Sequence, residues 1–157
     1  MKPLLQINPL PKWIIITILI VSFIGFLDAA YLTAEHYSAG AIECNIFEGC
    51  NEVTTSQYSV IAGIPVAILG ALYYLVIFIS SLIYLDRENL SVLYSACWLT
   101  TAGLLFSIWF TYVQIFLLQT LCQYCILSAI TSTILFVLAA ILLTKKRKAA
   151  KERKKNG

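Results

Sequence analysis

The sequence predicts an all-α membrane protein, a bundle of four transmembrane helices with an outer cysteine-bearing loop and a short helix between helices 1 and 2. Three observations predict it. The 157 residues are 60% hydrophobic and only 12% charged, with a mean hydropathy of +0.84, the balance of a chain that faces lipid. Four apolar runs, at about 13–37, 61–85, 92–117 and 122–144, are each long enough to cross ~30 Å of hydrocarbon at ~1.5 Å per residue. Four crossings bring all eleven basic residues to one membrane face.

Residues 1–12 form a short basic leader with Lys2, Lys12 and three prolines. Lys12 ahead of Trp13–Leu27 has the outline of a signal peptide, but Asp28-Ala29-Ala30 is a poor cleavage site, and the run is read as a retained helix. Asp28 lies toward its far end, where a carboxylate is costly unless it faces the bundle interior or water. Either a hydrogen-bonded structural group or a step in a proton path fits it.

The loop at 38–60 carries Cys44 and Cys50 and only acidic charges. Gly49 permits a tight return, and Asn51 or Thr54 is expected to cap a short helix running through Ser56 and Tyr58. Gly63-Ile64-Pro65 leads into the second run, proline being tolerated near a helix start. Asp86-Arg87-Glu88-Asn89 makes a polar turn before the third run, whose Cys97 reads as an inert core residue. Gln119-Thr120-Leu121 connects directly to the fourth run. The segment 145–157 is a basic tail; its lysines directly after an apolar run suit anionic lipid headgroups and argue against a nucleic-acid partner.

By the positive-inside rule the leader, the Arg87 turn and the tail are cytoplasmic, in a plasma (inner) membrane, and the loop and the Cys122 end of the last helix face outward. The aromatic residues agree. Trp13, Tyr84 and Tyr94 fall near the inner boundary, and Tyr31, Tyr37, Tyr58, Trp109, Tyr112 and Tyr124 near the outer one.

Cys122-Gln123-Tyr124-Cys125 opens the last run. Residues three apart on a helix have Cβ atoms roughly 5–6 Å apart, close enough to open and close a disulfide with little motion. A thiol in the first helical turn is pushed toward thiolate by unpaired N–H groups and the helix dipole, which favours Cys122 as the reactive sulfur. Two sulfur pairs on one outer face suggest a relay by thiol–disulfide exchange. With one histidine, His36, and no haem, flavin or iron–sulfur signature, a lipid-soluble quinone is the natural electron acceptor. A four-cysteine zinc site and a membrane anchor stapled by inert disulfides are the alternatives.

The arrangement Cys44-x5-Cys50, then Ser56, then Gly63-Ile64-Pro65, then Cys122-x-x-Cys125 opening a fourth helix resembles the bacterial homologues of vitamin K epoxide reductase over nearly the whole chain. DsbB-type quinone reductases carry the two kinds of pair in the opposite order. The resemblance implies a four-helix bundle, here at 13–144, around a quinone such as ubiquinone or menaquinone. In it Cys125 contacts the quinone, Cys122 exchanges with Cys50, Cys44 exchanges with a thioredoxin-like partner, and Ser56 lines the quinone pocket. Many bacterial members carry a fused thioredoxin-like domain. This chain ends in the basic tail, so the expected partner is a separate, DsbA-like extracytoplasmic protein. Ala129 stands where vertebrate members place a tyrosine, so dithiol oxidation coupled to quinone reduction is expected rather than epoxide reduction.

Overall fold

A computed structural model describes residues 12–38, 49–87 and 90–156. In chain order these form α1 (Lys12–Ser38), α2 (Cys50–Thr55), a small antiparallel hairpin β1 (Val60–Ile61) and β2 (Ile64–Pro65), α3 (Val66–Arg87), α4 (Leu90–Tyr112), a π-helical turn at Val113–Leu118, and α5 (Gln123–Asn156). Four spans are long and apolar enough to cross a membrane: Lys12–Ser38, Val66–Arg87, Tyr94–Leu118 and Gln123–Lys145. The protein is an integral membrane protein built as an all-α four-helix bundle.

Apolar residues surround each spanning helix, as expected where the outer solvent is lipid. The inward face is therefore marked by small and polar side chains, which let helices approach closely where no water drives them together. Ser22, Asp28 and Ala29 on α1, Ser80 and Ser81 on α3, Ala96 and Thr100 on α4, and Thr131 and Ser132 on α5 are all buried. Trp13, Ile20, Leu27, Trp98, Ile108 and Phe116 point outward. α1 packs chiefly on α3 and α5, and α4 on α5 and α3. One core gathers Ile14, Ile15, Ile18, Ile77, Leu135 and Leu142, and Cys97 is buried within it, as expected of a core residue. A second, smaller core holds Leu32, Cys50, Val53 and Cys122 at the other end of the bundle.

Two local features differ from the sequence expectation. The short helix runs only from Cys50 to Thr55, ending where Ser56 turns extended (ψ 158°), and Thr54 and Thr55 turn their hydroxyls back onto the carbonyls of Cys50 and Asn51 (2.8 and 2.7 Å). Residues 61–65, expected to open the second apolar run, belong instead to a hairpin at 60–65 whose two central residues, Ala62 and Gly63, have φ of 51° and 81°. Positive φ at both positions suits a two-residue hairpin turn. The Val66 N–H then donates to the Ser59 carbonyl at 2.8 Å, tying the hairpin to the first residue of α3.

Candidate active site at the cysteine end of the bundle

The link between α4 and α5 is built around one glutamine. Gln114, 1% exposed, lies in the π-helical turn, and its main-chain carbonyl accepts the N–H groups of Gln119 and Thr120. Gln119 takes a left-handed φ of 55° and reverses the chain. The Gln114 side-chain Oε1 then accepts the Cys122 N–H at 3.0 Å. A wide helical turn, an inverted residue and a buried amide thus fix where Cys122 stands.

Cys122 sits just before α5 rather than within its first turn. Its carbonyl accepts the Ile126 N–H at 3.0 Å, and its Sγ accepts the Cys125 N–H at 3.4 Å. The sulfur therefore occupies the place of a helix-capping side chain, three residues ahead of the N–H it receives. The Cys125 thiol's hydrogen bond lowers the Cys122 pKa below the usual thiol range; burial opposes it, and the Cys125 and Tyr124 N–H groups add to the lowering. Tyr124, between the two cysteines, packs its ring on Tyr31 of α1 at 5.1 Å between centroids, holding the start of α5 against α1.

Helix α2 brings the other sulfur. Gly49 precedes it, and a Cβ there would stand 2.8 Å from the Thr120 Cβ and 3.0 Å from the Leu121 carbonyl oxygen. Only a glycine lets the start of α2 lie on the strand of chain leading to Cys122. Cys50 and Cys122, each 0% exposed, share one buried cluster. Cys50 is disulfide-bonded, whereas Cys97, Cys122 and Cys125 are free thiols. In this form Cys50 offers no thiolate to a four-cysteine metal cage. Cys44 lies outside the described residues.

A cavity of about 320 Å³ opens beside the pair, with Cys125 in its wall. Its lining is mostly apolar, including Leu32, Leu69, Phe106 and Phe110, with a few polar groups. Tyr74 from α3 reaches α5, where its hydroxyl donates to the Ser128 carbonyl at 2.8 Å and lies 2.8 Å from Thr131 Oγ1. Tyr73 lies 3.3 Å from Ser132 Oγ. Gly25 and Gly103 make room for these two rings: an added Cβ would come within 2.4 Å of Tyr74 and Tyr73 respectively. Asp28 also lines the cavity, 7% exposed, and neither carboxylate oxygen has a hydrogen-bond partner among the described residues.

Of the residues singled out by sequence, the structure brings Cys50, Cys122 and Cys125 together. Ser56 does not line the cavity: it is the extended residue ending α2, and its hydroxyl donates to the Val53 carbonyl at 2.7 Å. Ser59, three residues on, lines it instead. Sequence reasoning passed over Gln114, Tyr73 and Tyr74, although a glutamine and paired tyrosines deep in apolar runs are a signal that polar partners lie inside.

A dithiol at a helix start, beside an already oxidised cysteine and open on one side to an apolar cavity, is the equipment of a membrane thiol oxidoreductase. The family model described as the Vitamin K epoxide reductase family matches residues 16–140, and the chain belongs to that family. No curated protein matches it.

Proposed function

We propose that the protein oxidises a separate thioredoxin-like, DsbA-like protein and passes the electrons through Cys44/Cys50 and Cys122/Cys125 to a quinone, ubiquinone, menaquinone or a relative, in support of disulfide formation in exported proteins. The observation that carries this reading is the glycine-tight contact of Gly49 with Thr120 and Leu121, which sets Cys50 and Cys122 in one buried cluster. The family and the charge distribution support a plasma-membrane setting with both termini cytoplasmic and the cysteine end outside. On this reading 13–144 is the working membrane domain.

Each transfer moves two electrons. A partner thiolate attacks Cys44 of the Cys44–Cys50 bond, and the partner's second thiol then resolves the mixed disulfide, leaving the loop pair reduced. The Cys50 thiolate next attacks Cys122 of a Cys122–Cys125 bond, and Cys44 resolves that mixed disulfide, leaving the helix pair reduced. Oxidised Cys50 with free Cys122 and Cys125 corresponds to the stage at which the helix pair discharges. A bound quinone would accept two electrons and two protons. The cavity fits such a ring: it falls at the lower end of the ~300–1,000 Å³ of small-ligand pockets, its walls are largely apolar, and Ala129 leaves α5 without bulk there. Cys125 stands in the wall to meet the ring, and the surrounding apolar side chains keep water from the sulfurs.

Disulfide mapping under non-reducing conditions in native membranes tests the relay. Cys44→Ser, which removes the resolving thiol, is expected to accumulate a Cys50–Cys122 bond, and Cys122→Ser to leave the partner reduced. If Cys122→Ser oxidises an added thioredoxin-like protein at the parental rate, the relay is wrong.

A further inference from the structure

The discharge step is one proton short. When Cys122 reacts as a thiolate, its proton has already gone to water; closing the Cys122–Cys125 bond then releases two electrons and only the single proton of Cys125. A quinone taking two electrons needs two protons to leave as quinol. Resting on the relay proposed above, we propose that Asp28 supplies the second proton from its carboxyl O–H.

Position is the first argument. Asp28, Tyr74 and Cys125 line the same cavity, and the Cys122 sulfur adjoins it, accepting the Cys125 N–H at 3.4 Å. The second argument is its lack of partners. A structural carboxylate inside a bundle is held by donors, because an unpaired buried charge is costly. Both Asp28 oxygens are buried and without a donor among the described residues, while the nearby Tyr74 hydroxyl is committed to Ser128 and Thr131. A group kept unpaired and directed into a cavity is available to whatever enters it.

Charge is the third. A carboxylate beside the Cys122 thiolate would place two negative charges in one apolar space, and like charges so placed disfavour each other's ionisation. The neutral acid avoids this and carries the proton the step lacks. The balance closes: Cys122 S⁻, Cys125 S–H, Asp28 COOH and quinone give the disulfide, Asp28 COO⁻ and quinol. The net charge is minus one on both sides. Asp28 regains its proton from water at the end of the cavity lined by His36, two turns along the same face of α1 and ~12 Å away at 1.5 Å per residue.

The test uses the full chain in membranes with a short-chain benzoquinone as probe. Infrared difference spectra of parental protein and Asp28→Asn, taken without quinone, should show a carboxylic-acid carbonyl band that belongs to Asp28 and shifts in heavy water; a carboxylate band in its place overturns the proposal. In single turnover from reduced Cys122 and Cys125, Asp28→Asn should form quinol about 100-fold more slowly, the scale of a lost general acid, and Asp28→Glu should recover most of that loss. Quinol formation by Asp28→Asn at the parental rate overturns the assignment. Failure of the parental protein itself to reduce the probe overturns the relay, and the proton donor with it.

Discussion

A thiol becomes a nucleophile in proportion to its thiolate fraction, and at Cys122 that fraction is set by groups one to three residues away. The Cys125 thiol donates to it and the Cys125 and Tyr124 N–H groups point at it, which together outweigh burial. The thiolate is the ionised form, so a lowered pKa extends its presence to lower pH. The rate at which Cys122 reacts with a small disulfide reagent is expected to rise through that lowered pKa and to be flat above it. Cys125→Ala removes the leading donor and should move the rise to higher pH. A pH–rate profile unchanged by that substitution would contradict the account. Much of this was readable in the sequence, because Cys-x-x-Cys at a helix start dictates spacing and the dipole favours the first sulfur. The sequence could not show that Cys122 precedes the helix as its cap, since that depends on an amide eight residues upstream.

That amide acts through an element rather than through chemistry of its own. The π-helical turn at 113–118 widens the end of α4 and carries Gln114 inward, where it receives the Cys122 N–H. Losing it leaves a buried N–H without an acceptor, which costs about 1–3 kcal/mol. Gln114→Ala is expected to lower thermal stability by that amount and to slow Cys50–Cys122 exchange, while Gln114→Glu, which keeps the accepting oxygen, should restore the exchange rate. Stability lost with exchange untouched would make the glutamine structural only. The spanning helices themselves were legible from hydropathy, but this turn and the 60–65 hairpin were not. Ile61 and Ala62 read as the start of an apolar run, and nothing local announces that Ala62 adopts a left-handed φ, a conformation an alanine takes only when the surrounding chain requires it.

At the scale of the whole bundle, the proposed exchange and discharge would use different walls of the same space. Cys50 and Cys122 are both fully buried in a cluster at one end, whereas Cys125, at the edge of that cluster, borders a cavity shaped by residues from all four spanning helices. Composition cannot reveal such a cavity, because it depends on two glycines meeting two tyrosines across helix pairs, Gly25 with Tyr74 and Gly103 with Tyr73. The division has a consequence that one substitution can isolate. Ala129 lines the cavity from α5, four residues past Cys125 and one turn away from the cluster that holds Cys50 and Cys122. A phenylalanine there adds bulk to a space of about 320 Å³ while leaving Gly49, Gln114 and the Cys122 cap untouched. Ala129→Phe is therefore expected to weaken quinone reduction by at least about tenfold, the order of a few lost ring contacts, with Cys50–Cys122 exchange unchanged when read by trapping the mixed disulfide. Equal loss of both reactions would mean that cavity and sulfur cluster are one mechanical unit. No loss of either would mean that electrons leave Cys125 by a route other than this cavity.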